Sequence, residues 1–443
     1  MMYSDEIAGF LKKHGIKTGD HIRVEYSGVT IEGELMPKTE VGSPDTLTVK
    51  LKSGYNVGVA FEGATVTKIA ESEGPVAFPT AKLGEDKGLP KVSLIITGGT
   101  IVNKIDYKTG GVHPVITPEE LLYDVPELSK IARISIRNPF SMASEDISYR
   151  EWGVIANEVA SELNGGARGA VVAMGTDTMH YASAALGFML QGLNAPVVVT
   201  GAQRSSDRGS SDAFMNLICS AHIAAKSDIA EVGICMHRSS SDDECQFIRG
   251  TKARKMHSTR RDAFRPVNDS AIAYVKADGR IRYGSQHRKM SGKSKASAMT
   301  KFESKVALVT AYPNSDPELI DFYVKRGYRG IIIEGTGMGH VPVLPSNVDR
   351  SWMDYIAQAI KKGVVVGMTT QTLYGRVNTN VYSNLRKISE LGVVYCEDML
   401  PETAYVKLGW LLGNYSPKKA GEMLNKNIVG EISQRTELGE FLV

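Results

Sequence analysis

The sequence predicts an α/β fold: a two-domain core of mostly parallel, helix-covered sheets, preceded by a small all-β barrel domain. Three observations predict it. Apolar runs that end in glycine (VSLIITGGT, GAVVAMGTDT, APVVVTGAQ) alternate with segments of helical periodicity, and strands apolar on both faces belong to a parallel sheet covered on both sides. The same alternation resumes after a long polar region, at KVALVTAYP, GIIIEGT, VVVGMTT and GVVYCED. The beginning of the chain has neither pattern and instead carries brief β-rich runs punctuated by Gly, Pro, Asn and Asp.

Residues 1–70 form the expected barrel: after a short amphipathic start, GDHIRVEY, VTIEGELMP, TLTVKLKSG, YNVGVAF and ATVTKIA are its strands. A domain of that size has a thin core and leans on something larger. Residues 71–90, EGPVAFPTAKLGEDKGLPK and its flank, lack periodicity and read as a linker. Residues 91–304 form the large α/β domain, with helices at YREWGVIANEVASEL, MHYASAALGFMLQGL and DAFMNLICSAHIAAK. Residues 305–443 form a smaller α/β domain that ends in the helices LPETAYVKLGWLLGN and SPKKAGEMLNKNI. A chain of 443 residues exceeds the roughly 250–300 at which one hydrophobic core stops growing, so several domains are expected.

Composition narrows the function. Hydrophobic residues are 42% and charged residues 23%, and the net charge is only +3, so overall charge makes no case for nucleic acid. Locally, residues 249–305 hold sixteen Lys or Arg against four Asp or Glu; that stretch faces RNA or an acidic partner, or is a hydrated loop surface. Cys219, Cys235, Cys245 and Cys396 are scattered without a C-x-x-C pair, which reads as a reduced, intracellular chain with packing cysteines. The acidic, mixed N-terminus is no secretory signal, and no apolar run has the length of a membrane span, so a cytoplasmic protein is expected. Neither a Walker A motif, a G-x-G-x-x-G fingerprint nor a metal-spaced His/Cys cluster occurs.

Two strand ends carry the chemistry. In Thr97-Gly98-Gly99-Thr100 the glycines let backbone approach a ligand and present the Thr100 hydroxyl at the carboxyl edge of the sheet. Gly175-Thr176-Asp177-Thr178 has the same setting and adds a carboxylate, although Thr and Asp there also suit a helix cap. A threonine hydroxyl needs a base and an oxyanion site before it attacks a carbonyl. Lys255, in TKARKM, serves as that base only when neutral: Arg254 and Lys252 would lower its pKa, Asp177 would raise it. Otherwise it is a solvated charge.

With TGGTI at 97–101, GTDT at 175–178, PVVVTGAQR at 196–204, DAFMNL at 212–217 and RGTKARKMHSTRRDAF at 249–264, the chain resembles the bacterial-type L-asparaginase family from about residue 91 to its end. The resemblance implies an amidohydrolase in which Thr100 is the nucleophile. It makes Tyr107, in the Gly-rich DYKTGG, the tyrosine of a mobile loop that closes over the substrate. It makes Thr176, Asp177 and Lys255 the second catalytic group and Ser144 the serine that grips the substrate's α-carboxylate. Glu145, counted with the substrate-binding residues, departs from the glutamine common in the family: its carboxylate would repel the substrate's α-carboxylate unless it faced the α-ammonium, which leaves specificity open, a substrate other than free asparagine included. GTGMGHVP, residues 335–342, resembles the edge that borders a neighbouring protomer's site.

The whole arrangement, barrel then asparaginase-like pair, resembles the glutaminase subunits of archaeal tRNA-dependent amidotransferases. That resemblance implies hydrolysis of L-glutamine to glutamate and delivery of ammonia to a partner, the amidotransferase E subunit, which converts Glu-tRNA(Gln) to Gln-tRNA(Gln). ATP and Mg2+ would bind the partner, this chain would hold no cofactor or metal, and its core would pair as a homodimer within a heterotetramer. A free L-asparaginase with an accessory N-terminal domain and a catalytically silent assembly module are the alternatives.

Overall fold

A computed structural model of the chain describes residues 3–38, 43–51, 56–71, 88–99, 103–105, 112–114, 125–204, 210–291, 294–343 and 351–441. The N-terminal region opens with a helix, Asp5–Lys13, whose acidic first turn and basic last turn complement its dipole. Ile7 and Leu11, four residues apart on one face, bury against a five-stranded antiparallel sheet. The strand order is Asn56–Ala60, Thr46–Lys50, Val29–Leu35, His21–Tyr26, Thr65–Ala70. Alternation places Ile22, Val24, Leu47 and Val49 inside with Ile16, Leu35, Val59 and Val66.

The large sheet has eight strands in the order Ile281–Tyr283, Ala273–Val275, Cys245–Arg249, Val232–His237, Val197–Thr200, Gly169–Ala173, Lys91–Ile96, Arg133–Arg137. The five from Arg133–Arg137 to Val232–His237 are parallel. The remaining three turn antiparallel. Alternate residues of the central strands feed two cores. Ile95, Val172, Val199 and Ile234 face the helices Tyr149–Asn164 and Met179–Met189. Leu94, Val171, Val198 and Cys235 face Ala213–Lys226. Tyr149–Asn164 starts at a capping box, in which Ser148 and Glu151 satisfy each other's backbone N–H groups.

The small sheet is parallel, in the order Val306–Thr310, Gly330–Gly335, Val365–Thr370, Val394–Tyr395. Glu318–Lys325, Trp352–Lys361 and Ser383–Glu390 cover one face through Ile320, Trp352, Ile356, Leu385 and Ile388. Pro401–Asn414 covers the other and packs on Met179–Met189 of the large part, with Phe188 and Trp410 stacked at 5.8 Å. One apolar cluster therefore runs from Ile95 and Val172 through Phe188 and Trp410 to Ile332 and Cys396. Two fully buried ion pairs accompany it, Lys252–Asp398 at 2.8 Å and Lys407–Glu431 at 2.6 Å.

The four cysteines are all buried. Ten of the sixteen Lys and Arg residues of the basic stretch 249–305 have carboxylate partners: Arg249, Lys252, Arg254, Lys255, Arg260, Arg261, Arg265, Arg280, Arg282 and Lys289 each lie within ion-pair distance of one. Most of those carboxylates come from outside the stretch, which is why its charge looks uncompensated when read along the chain. Among the described residues no helix is long and apolar enough to cross a membrane.

Candidate active site

The site is assembled at the carboxyl ends of adjacent parallel strands, where side chains and loop backbone are free of the ladder. Thr97 leaves the Lys91–Ile96 strand with its N–H and its hydroxyl both donated to Ala173 O, at 2.9 and 3.2 Å. Gly98 and Gly99 follow with φ of 114° and 87°, in the left-handed half of the map that glycine adopts without strain. A side chain on Gly98 would collide with Met142 O and one on Gly99 with Gly175 N. The TGGT turn thus lies directly on the turn that carries Thr176 and Asp177. Thr100 is the next residue and lies outside the described residues, as does Tyr107. The strands that flank Tyr107, Asn103–Ile105 and Val112–Pro114, pair as an antiparallel hairpin.

Lys255 reaches this turn from a short hairpin of its own, Ala253–Lys255 paired with Phe264–Pro266. Its Nζ donates to Thr176 Oγ1 at 3.0 Å and to Asp177 Oδ1 at 2.6 Å. The lysine side chain is nearly buried, whereas that of Asp177 is 68% exposed. Neither Thr176 nor Asp177 caps the helix that follows. The N-cap is Thr178, whose hydroxyl donates to Ser144 O at 2.5 Å and makes no capping bond. Ser144, buried in the short turn Ser144–Asp146, accepts the Asp177 N–H at 3.2 Å and donates to Glu145 Oε2 at 3.4 Å. Ser144, Thr176, Asp177 and Lys255 are therefore one connected cluster, with the Glu145 carboxylate at its rim.

Behind Lys255 lies a second, buried set. Arg254 points away from the cluster and donates to Glu402 Oε2 at 3.3 Å, from the first turn of Pro401–Asn414. His180 Nε2 lies 3.9 Å from Glu402 Oε1; burial, with Arg254 and Lys255 nearby, pushes its imidazole down to about 4. Burial raises the Glu402 carboxyl, against the pull of Arg254. Sequence reasoning missed this set, since nothing in the spacing of His180, Arg254 and Glu402 brings them together.

It also missed a hydrogen-bonded chain on the other side. The Asp212 carboxylate accepts the N–H groups of Gln203 and Arg204 at 3.0 Å and the Asn216 amide at 2.9 Å. Asn216 continues to His237, His237 to Asp242, and Asp242 to Arg261 in the loop beyond Lys255. The DAFMNL motif was the available signal, because it puts Asp212 and Asn216 one helical turn apart. Among the described residues no group of three His, Cys, Asp or Glu side chains is placed to hold a metal ion.

Fold and strand-end turns together are those of an asparaginase-type α/β protein. Residues 91–289 match the family described as asparaginase, N-terminal; residues 305–424 match the glutaminase/asparaginase C-terminal domain; residues 16–69 match the GatD N-terminal domain. The thermostable L-asparaginase from Thermococcus kodakarensis superposes with a TM-score of 0.69 at 27% identity, covering 78% of this chain and 100% of that one. Two proteins named as the D subunit of glutamyl-tRNA(Gln) amidotransferase, from Pyrococcus furiosus and Thermococcus kodakarensis, are each 47% identical over 98% of this chain and 99% and 98% of their own lengths. The chain belongs to this family, the D subunits of glutamyl-tRNA(Gln) amidotransferase.

Proposed function

We propose that this chain is the glutaminase subunit of a tRNA-dependent amidotransferase, hydrolysing L-glutamine and supplying ammonia to a partner that converts Glu-tRNA(Gln) to Gln-tRNA(Gln) with ATP. The observation that carries the hydrolytic part is the double contact of Lys255 with Thr176 and Asp177 beside the Gly98-Gly99 turn. Thr100 attacks the side-chain carbonyl of glutamine, and its proton passes to the Thr176–Lys255–Asp177 group. The tetrahedral intermediate collapses as the amide nitrogen takes that proton and leaves as ammonia. Water then attacks the Thr100 ester and releases glutamate, with the same group accepting and returning a proton.

Asp177, at 2.6 Å, is the counter-ion of the Lys255 ammonium in the resting site. As an ammonium Lys255 donates to Thr176 Oγ1, which leaves the Thr176 hydroxyl proton free to point at a third atom. Thr176 is thereby the group that hands the proton across: it takes the Thr100 proton as it gives its own to Lys255, which passes one of its protons to the Asp177 carboxylate, and the same transfers run in reverse when the amide nitrogen leaves. Ser144 holds the α-carboxylate of the substrate, Glu145 faces its α-ammonium, and Tyr107 closes over the pair. ATP and Mg2+ belong to the partner, the amidotransferase E subunit, and two copies of this chain pair through their asparaginase-like cores.

The experiment is steady-state glutamate production at matched glutamine by the chain alone, by the chain with its partner, and by the assembly with glutamyl-tRNA. Slow turnover alone and a marked rise in the full assembly are expected, because the closed loop is favoured by the acceptor. T100A should abolish hydrolysis while the complex still amidates glutamyl-tRNA from free ammonia. High asparagine hydrolysis by the chain alone, insensitive to the partner, would make it a free asparaginase instead.

A further inference from the structure

His237 occupies the last position of the Val232–His237 strand with no exposed side-chain surface, and the reaction just described makes no use of it. Its two ring nitrogens both face acceptors. Nδ1 lies 2.6 Å from Asn216 Oδ1, and the orientation of that amide is fixed by its other end, since Asn216 Nδ2 donates to Gly201 O and Asp212 Oδ2, both at 2.9 Å. Turning the amide over would set its oxygen against a carbonyl and a carboxylate, so Nδ1 carries a hydrogen. Nε2 lies 3.0 Å from Asp242 Oδ1, a carboxylate that Arg261 also engages at 2.7 Å. The His237 contact first, and Arg261 after it, hold the Asp242 carboxyl below its usual range. An ionised Asp242 only accepts, so Nε2 carries a hydrogen as well.

The two ends of this chain of bonds bracket the Thr176–Lys255 contact. At one end Asp212 and Asn216 hold the 201–204 turn, and Gly201 packs so closely under Met174 and Thr176 that a side chain on it would stand 2.5 Å from Met174 O and 3.0 Å from Thr176 Cγ2. At the other end Arg261 sits in the loop of the hairpin that presents Lys255, and also donates to Ser240 O. We propose that His237 is a positioning residue for the hydrolytic site: an imidazolium held between Asn216 and Asp242, it ties the turn beneath Thr176 to the hairpin that carries Lys255. The charged ring makes two charge-assisted hydrogen bonds where a neutral one makes a single donation.

The other groups around the ring leave its charge to this pair. Arg238, the next residue, turns its guanidinium to Glu244. Cys245 stands opposite on the neighbouring strand, where burial keeps it a thiol. Asp212 acts through Asn216, and Arg261 through Asp242.

The inference rests on the proposed role of Lys255, and its test has one arm that needs no turnover. In the full chain with 15N-labelled histidine, both His237 ring nitrogens should carry a hydrogen and show couplings through their hydrogen bonds, Nδ1 to Asn216 and Nε2 to Asp242; a ring nitrogen without a hydrogen overturns the proposal. The second arm is glutamine hydrolysis by D242N and R261Q, which cut the chain at its solvent end without disturbing the core. Each should lower kcat by about tenfold or more with KM little changed. D242E, which keeps the carboxylate acceptor, should restore kcat. Wild-type kcat in D242N, with K255M inactive, would overturn the proposal alone. Wild-type turnover in K255M would instead overturn the reading of the site.

Discussion

Gly99 and Gly175 meet backbone to backbone, with no room between them for a methyl group. That contact sets the distance between the TGGT turn and the Thr176–Asp177 turn, and the φ of 87° at Gly99 is one that residues with a side chain adopt only with strain. G99A should therefore push the two turns apart. Glutamine hydrolysis should fall by roughly 10²-fold or more, the loss that follows misplacement of reacting groups by about an ångström. Circular dichroism should still report the α/β fold, and full activity in a folded G99A chain would remove this contact from the mechanism.

K255M and D177N should each cut hydrolytic turnover by roughly 10²-fold, the cost of losing a proton-transfer group or its electrostatic support. The two losses should not add in the double variant, since Lys255 and Asp177 act as one unit. The comparison is kcat for the two single variants and the pair under one set of conditions. Additive losses would mean two independent roles.

Acid should weaken the fold through His180. An unfolded histidine titrates near 6.5, whereas burial beside Arg254 and Lys255 holds the folded one down to about 4. Between those values the unfolded chain binds a proton that the folded chain refuses, so the stability present in full above 6.5 is lost as pH falls toward 4. The difference amounts to about 3 kcal/mol at the acid end. Urea unfolding of wild type and H180Q at a series of pH values measures it: the wild-type curve should fall more steeply in that window, and parallel curves would contradict the assignment.

Lys407 and Glu431 form a pair with no exposed side-chain surface at 2.6 Å. Burial lowers the Lys407 ammonium while Glu431 pulls it back up. Removing one partner strands the other, so K407M should cost about 3–5 kcal/mol of stability. K407M/E431Q, which removes both charges, should recover part of that loss. Denaturant midpoints of the three proteins decide it, and a double variant weaker than K407M would show the carboxylate to be held by its backbone donors from Ile428 and Val429 instead.

The parallel strands were legible because each is apolar throughout and ends in glycine: VSLIITGG, GAVVAM and APVVVTG became Lys91–Ile96, Gly169–Ala173 and Val197–Thr200. The amphipathic helices were legible by period, YREWGVIANEVASEL becoming Tyr149–Asn164. GVVYCED, read as another such strand, pairs only at Val394–Tyr395 because it closes the edge of the small sheet. The two outer strands of the large sheet's antiparallel edge, Ala273–Val275 and Ile281–Tyr283, were lost in the polar 249–305 stretch, because strands of three residues carry no periodicity to detect. For the site, the residues alone named Lys255 but left its partner open, while the family resemblance grouped it with Thr176 and Asp177. Whether Asp177 or the neighbouring cations dominate depends on which face of a three-residue strand each side chain takes, and Arg254 and Lys255 take opposite ones. The links from Lys252 to Asp398 and from Arg254 to Glu402 span almost 150 residues, beyond any local pattern.

The apolar cluster shared by the Met179–Met189 and Pro401–Asn414 helices bears on how the chain is made as well as on how it works. A ribosome that has released residues up to about 304 has built every side chain proposed for the hydrolytic step, yet the partners that cover Phe188 and pair with Lys252, Trp410 and Asp398, are still to come. Burial of that helix face is therefore completed only when residues 305–443 dock, and translation order makes the second part the one that closes the shared core.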